Sequence, residues 1–414
     1  MEQAGPERDG VGARARRRRW PWLLTVVATL GVAVGAAVLL ARPWEDVPPT
    51  MRPTVTPEQE RSVSVDFGIV TDPDTDWAAI DRHLDAVGAN GVDLNAGRVE
   101  FTAFDWPAHP EVAAEPGSDH LSRAARALQR TADGTPREIG LIVDAYVPEW
   151  IKSDPSIAGV SAKGTPSPYR ASASELATGE VGDRLVEYVT DLGERYNPSR
   201  IAVTELFLNF YSFGDDDLAL YREMTGADDW PRDADGQIDE DDPELGTWRS
   251  EVLAGLLARM RAGLDGVRDG QGEQIELAMD VRVGWDDPAA GAPASGHDYE
   301  ILLRSADRLV VWAYVGARAR TPADVERVTA ALQSAGFDMS RFTVSVGLWA
   351  ASADADPPQA ISPERMAATL RAATTHGVGD VNVTPLSHLS PAHRATLARV
   401  WGGAAPSASA GPGG

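Results

Sequence analysis

From residue 63 onward, short runs dense in β-branched and aliphatic residues alternate with longer stretches whose apolar positions recur every three or four residues. The short runs carry the period of strands and the longer ones that of amphipathic helices. Strands are predicted at 64–70 (SVDFGIV), 91–97 (GVDLNAG), 138–146 (EIGLIVDAY), 200–208 (RIAVTELFL), 274–283 (QIELAMDVRV), 308–316 (RLVVWAYVG), 341–350 (RFTVSVGLWA) and 379–386 (GDVNVTPL). Helical stretches such as DWAAIDRHLDAVGAN, VGDRLVEYVTDLGERY and TPADVERVTAALQSAG separate them, and SPAHRATLARVWGG closes the series. Several begin with Ser, Thr or Asp near Pro and stop at Gly or Asn, the start and stop signals of helices. Strict alternation builds parallel βα units, and eight of them is the count for a closed barrel. A doubly wound open sheet stops at five or six strands and carries a Gly-rich phosphate loop, which this sequence lacks. The expected fold is α/β, a (β/α)8 TIM barrel spanning 62–403.

Strand parity separates the helix-facing from the barrel-facing side chains. In the fifth run Ile275, Leu277, Met279, Val281 and Val283 share one face, while Glu276, Ala278, Asp280 and Arg282 share the other. The apolar face must meet the helices, so the polar face looks inward. By the same reasoning Asp144 and Tyr146 face in on the third strand, Asp66 on the first, Asp93 and Asn95 on the second, and Asn382 and Thr384 on the eighth. The fourth run is apolar on both sides and carries a single charge, Glu205. A buried unpaired carboxylate is costly, so such groups persist where they are paired or used. Any one of them fits a structural hydrogen-bonding role, but five strands each contributing a carboxylate point to a site. Trp312 and Tyr314 on the sixth strand and Trp349 on the seventh add flat apolar faces, which serve either the packed interior or a ligand.

The N-terminus changes the picture of where this barrel sits. Arg14, Arg16, Arg17, Arg18 and Arg19 precede an uncharged run from Trp20 to Ala41. At about 1.5 Å per residue such a run just crosses a ~30 Å hydrocarbon core. The arginines hold that end in the cytoplasm, and Trp20, Trp22 and Trp44 suit the interfaces. The expected order is a basic cytoplasmic segment (1–19), a single transmembrane anchor (20–42), a Pro/Thr-rich stalk (43–61), the barrel outside the membrane, and a low-complexity tail (404–414). A cleavable signal peptide is the competing reading, and it exports the remainder equally. The chain has no cysteine, which excludes thiol catalysis, Cys-zinc sites and disulfides. Its 38 basic against 62 acidic residues leave a net charge of −24, a surface that repels nucleic acid. A stalked single-pass protein of this kind is expected to be a monomer.

Carboxylates beside aromatic faces suit a pyranose ring, whose C–H groups stack on the ring while its hydroxyls take polar partners. Glycoside cleavage needs two such carboxyl groups, one protonated and one ionised. The rival chemistries lack their signatures: there is no GxSxG elbow and no His-x-His on an early strand. DAYVPEW (144–150), VTELFLNFYSFGDDDLALY (203–221), DWPR (229–232) and MDVRVGW (279–285) together resemble the glycoside-hydrolase-like TIM barrels of bacterial envelopes. The resemblance implies a carbohydrate substrate, no cofactor, and Glu205 as the acid/base residue. Two departures stand out: Thr204 precedes that Glu where Asn is usual, and the seventh strand carries no Glu nucleophile. The partner carboxylate is then expected to be Asp280, with Asp144 second, and Arg282 holding a carboxylate or a substrate hydroxyl. Asp66, Asp93, Asn95, Tyr146, Trp312, Tyr314, Trp349 and Asn382 complete the expected binding surface. In the acidic loop after strand four, residues 233–242 echo an EF-hand with Pro231 at the first ligand position and Asp242 at the last. That leaves at most an irregular calcium site. A non-catalytic barrel that binds glycan or scaffolds a partner is the alternative reading.

Overall fold

The computed structural model describes residues 51, 57–267, 274–317, 319–350 and 359–402. The expected basic segment, transmembrane anchor and tail, with most of the stalk, lie outside them. Among the described residues no helix is long and apolar enough to cross a membrane. The chain divides after Pro48, and all described residues belong to the unit Pro49–Gly414.

That unit is built on eight parallel strands, β1 (Arg61–Val65), β2 (Gly91–Arg98), β3 (Glu138–Asp144), β4 (Arg200–Thr204), β5 (Glu276–Val281), β6 (Arg308–Trp312), β7 (Phe342–Gly347) and β8 (Asp380–Thr384). Each pairs with its sequence neighbours. β1 pairs with β2 through Ser62 opposite Gly91 and with β8 through Ser62 opposite Asn382, so the sheet closes. A helix follows each strand: α1 (Trp77–Val87), α2 (His120–Leu128), α3 (Glu180–Tyr196), α4 (Pro243–Leu264), α5 (Tyr299–Leu302), α6 (Pro322–Ser334), α7 (Pro363–Ala373) and α8 (Pro391–Trp401). This is the (β/α)8 barrel that the alternation predicts.

Local chemistry sets the helix ends. Asp76, Asp119, Ser362 and Ser390 cap α1, α2, α7 and α8 by accepting a backbone N–H three residues on. Thr321 and Asp324 form a reciprocal capping box on α6. Gly88 and Asn197 end α1 and α3 in the left-handed conformation. The helix-facing residues of the strands, such as Ile139, Leu141, Val143, Leu277 and Met279, are fully buried in one continuous core.

Most expected strands run past the true C-terminal ends, because the residues beyond turn over the barrel mouth. The first is displaced most: Phe67–Thr71 is a helical turn that starts from Asp66. Two excursions build out the C-terminal face. Between β3 and α3 the chain forms the helices Pro148–Ser153 and Ala173–Thr178 with an antiparallel hairpin, Ala158–Val160 and Pro166–Ala171, between them. After β4 it forms the helix Asp215–Thr225.

Candidate active site

The inside of the barrel is polar where many barrels are packed with branched aliphatics. Ala202, Ala278 and Val310 form a small apolar patch there, apart from the main core. Arg200 occupies the axis beside it. Its Nη1 and Nη2 donate to the two oxygens of Glu60 at 2.6 and 2.7 Å, and Nη2 also donates to Asp93 at 2.7 Å. Asn382 donates to Asp93 at 3.0 Å and accepts from Ser345 at 3.0 Å. Gly140 makes the arrangement possible, since a Cβ there would lie 2.2 Å from the Asp93 carboxylate.

Above this floor opens a cavity of about 230 Å³. Of the expected site residues, Glu205, Asp280, Asp144, Asp66, Asp93, Asn95, Trp312, Tyr314, Trp349 and Asn382 all line it. Asp93 and Asn382 are only 5% and 4% exposed and are taken up by the network just described, so they shape the floor. Asp66 sits at the rim and accepts from the backbone N–H and hydroxyl of Ser387. Trp312 and Tyr314 stack at 5.3 Å and 14°, with Trp349 tilted against Tyr314 at 5.2 Å. Gly347 leaves the room Tyr314 needs, since a Cβ would meet its ring at 2.4 Å.

Three carboxylates converge on the cavity. Asp280 accepts from Trp312 Nε1 at 3.1 Å and from the Thr204 hydroxyl. Burial, with the charges of Glu205 and Asp93, pushes its pKa up to about 7 against those hydrogen bonds. Asp144 rises to about 6, chiefly through burial, with Glu205 and Glu100 adding to the shift. Glu205 reaches the cavity by a different route from the other two. Inward parity on β4 belongs to Arg200, Ala202 and Thr204, so plain alternation would turn Glu205 toward the helices. Its backbone instead adopts φ +59°, a left-handed conformation unfavourable for a non-glycine residue, and the side chain enters the cavity. Strain of this kind costs on the order of 1–3 kcal/mol and collects at functional positions. Tyr146 donates its hydroxyl to Glu205 Oε2 at 2.6 Å.

One expectation is corrected. Arg282 has inward parity, but β5 ends at Val281 and the side chain folds away from the cavity, its guanidinium 3.7 Å above the Phe207 ring and 3.3 Å from Asn209 Oδ1. In the acidic loop after β4 the chain makes a tight turn, in which Asp233 accepts the backbone N–H groups of Asp235 and Gln237 at 2.9 Å each. Among the described residues no group of three or more His, Asp or Glu is placed to hold a metal ion. Tyr146 lines a smaller pocket together with Glu205 and meets the site through its hydrogen bond to that carboxylate. The sequence reading missed Thr204 and Arg200, both of inward parity on β4. It also missed Glu100, which pairs with Arg98 at 3.1 Å beside Asp144.

A closed eight-stranded parallel barrel with a carboxylate-lined, aromatic-walled cleft at the strand C-termini is a (β/α)8 barrel with a candidate active site where such barrels carry theirs. Compared by sequence, the chain matches no protein-family model and no curated protein. Compared by fold, it is similar to the PgaB (BpsB) glycoside hydrolase domain of Bordetella bronchiseptica, at 18% identity and a TM-score of 0.60 over 82% of this chain and 99% of that one. The catalytic domain of a β-amylase from Paenibacillus polymyxa aligns at 11% identity and a TM-score of 0.54, over 81% and 94%. A β-galactosidase from Marinomonas ef1 aligns at 12% identity and 0.59, over 83% of this chain but only 59% of that longer one. Identities this low establish a shared fold.

Proposed function

We propose that the chain is a glycoside hydrolase that cleaves an extracellular poly- or oligosaccharide by carboxylate acid/base chemistry. The observation that carries this reading is the convergence of Glu205, Asp280 and Asp144 on one open cleft walled by Trp312, Tyr314 and Trp349. The roles follow from the surroundings of each group. Asp280, protonated up to about pH 7, is the proton donor to the departing glycosidic oxygen. Glu205, held by the hydrogen bond it accepts from the Tyr146 hydroxyl, is the second carboxylate. It faces the positive charge that develops on the ring carbon as the C–O bond breaks, and water completes the hydrolysis. This exchanges the roles expected from the resemblance, which makes Glu205 the acid. Asp144 takes a substrate hydroxyl beside them.

Among the described residues that line the cleft, Arg200 is the one cation, and Glu60 and Asp93 already hold it. The carboxylates that line the cleft favour a substrate without carboxylate or sulfate groups. Placement outside the membrane rests on the arginine cluster at 14–19 and the apolar run that follows. The test is release of reducing ends from a panel of envelope and plant polysaccharides by the full chain, with Glu205→Gln and Asp280→Asn alongside. Glycan binding without release by the wild type would favour a non-catalytic barrel.

A further inference from the structure

Glu205 and Asp280 belong to neighbouring strands, but both lie past the last rung between them. The β4–β5 ladder ends at Val203 opposite Met279, so the sheet no longer ties the two chains where these carboxylates leave them. Counting on in the same register places Leu206 opposite Arg282, and the ring of His297 joins those two residues. The Arg282 backbone N–H donates to Nδ1 at 2.9 Å. That nitrogen is therefore the acceptor, and Nε2 carries the ring proton, which it donates to the Leu206 carbonyl at 2.9 Å. His297 is fully buried, and burial lowers its pKa to about 4, which keeps the ring neutral with one donor and one acceptor.

The ring has a firm mount. His297 and Asp298 pair antiparallel with Ala292 and Gly291 in the loop after β5. The Asp298 N–H donates to the Ser250 hydroxyl of α4 at 3.2 Å. Gly296, at φ +82°, lies so close to α4 that a Cβ would meet Leu253 at 2.9 Å and the Arg249 carbonyl at 3.1 Å. The same loop holds both chains a second time: Leu208 N–H donates to the Ser295 carbonyl at 3.1 Å, and the Tyr299 hydroxyl donates to the Arg282 carbonyl at 2.7 Å. We propose that His297 is a positioning residue, a cross-tie that sets the separation of Glu205 and Asp280. Through Leu206 it holds the left-handed turn that brings Glu205 into the cleft, and through Arg282 it holds the chain two residues past Asp280. The proposal rests on the reading of these carboxylates as the cleaving pair, for which a misplacement of about 1 Å costs on the order of 100-fold in rate.

Asparagine and glutamine each keep half of the tie. In His297→Asn the side-chain oxygen replaces Nδ1 as the acceptor for Arg282, and in His297→Gln the amide nitrogen replaces Nε2 as the donor to Leu206. Crystal structures of the full chain, wild type and both variants, give the distance between the Glu205 and Asp280 carboxyl groups. It is expected to change by about 0.5–1 Å in each variant, with kcat for reducing-end release down about 10–100-fold and KM within about threefold. ¹⁵N NMR of the wild type at pH 7 reads the ring without any variant, and Nε2 is expected to carry the proton while Nδ1 is bare. A proton on Nδ1, a carboxyl separation unchanged in both variants, or a loss carried by KM with kcat intact would overturn the proposal. A wild type that releases nothing while the separation still changes in the variants would overturn the hydrolase reading and leave the cross-tie standing.

Discussion

Replacing Asp280 with Asn is expected to make the protein more stable at pH 8 while removing its activity. In the fold the Asp280 carboxyl rises from 3.8 to about 7, driven by burial and opposed by the Trp312 and Thr204 hydrogen bonds. The folded chain therefore keeps a proton that the unfolded chain releases near pH 4. Stability falls as pH rises through the window between 3.8 and about 7 and is flat above it. Three units at about 1.4 kcal/mol each give roughly 4 kcal/mol as the upper limit of this penalty. Water in the open cleft screens part of it, leaving about 2–4 kcal/mol. Asparagine has the same shape, carries no charge, and offers an oxygen to Trp312 Nε1 as before. Urea unfolding of both proteins from pH 4 to pH 8.5 reads the difference directly. The two are expected to coincide at pH 4 and separate by about 2–4 kcal/mol by pH 8, with Asn the more stable. A difference that is constant with pH, or a less stable Asn variant at pH 8, would show Asp280 to be ionised in the folded protein. It could not then be the proton donor.

Arg200→Met strands the buried carboxylates of Glu60 and Asp93 and is expected to lower stability by about 3–5 kcal/mol at pH 7 in urea unfolding. Burial alone would raise the Glu60 pKa, but Arg200 outweighs it and holds the group below its usual 4.5. The Glu60 contribution is therefore complete above 4.5 and lost as pH falls, so the gap between variant and wild type narrows in acid. Gly140→Ala drives a methyl into Asp93 and is expected to cost about 1–3 kcal/mol; combined with Arg200→Met the losses are less than additive, because both variants release the same carboxylate. Uronate-containing polymers are expected to be cut at least tenfold more slowly than neutral ones of similar linkage, measured as kcat/KM, because each unpaired anion near the cleft carboxylates costs more than about 1.4 kcal/mol.

Much of the barrel was legible because its strands obey a simple period. Leu277, Met279 and Val281 alternate with Glu276, Ala278 and Asp280, and that alternation marks which face meets the helices. The same rule located Asp280, Asp144 and Asp93, which lie within strands. It failed where the strands end, since the period holds only while the chain stays extended. Glu205 enters the cavity through a left-handed backbone turn that alternation does not describe. Arg282, one residue past β5, leaves the cavity that its parity promised. Asp66 sits on a helical turn in place of a strand. Residue type still carried information where period did not, as the lone charge in RIAVTELFL shows.

The central claim is that Glu205 and Asp280 together cleave a glycosidic bond. Its most direct test is reducing-end release by the full chain, by Glu205→Gln and by Asp280→Asn, across a panel of neutral polysaccharides. The account predicts release by the wild type and a loss of about 100-fold or more in each variant, with both variants folded. Release that survives in both folded variants, or wild-type binding with no release from any polymer, would contradict it.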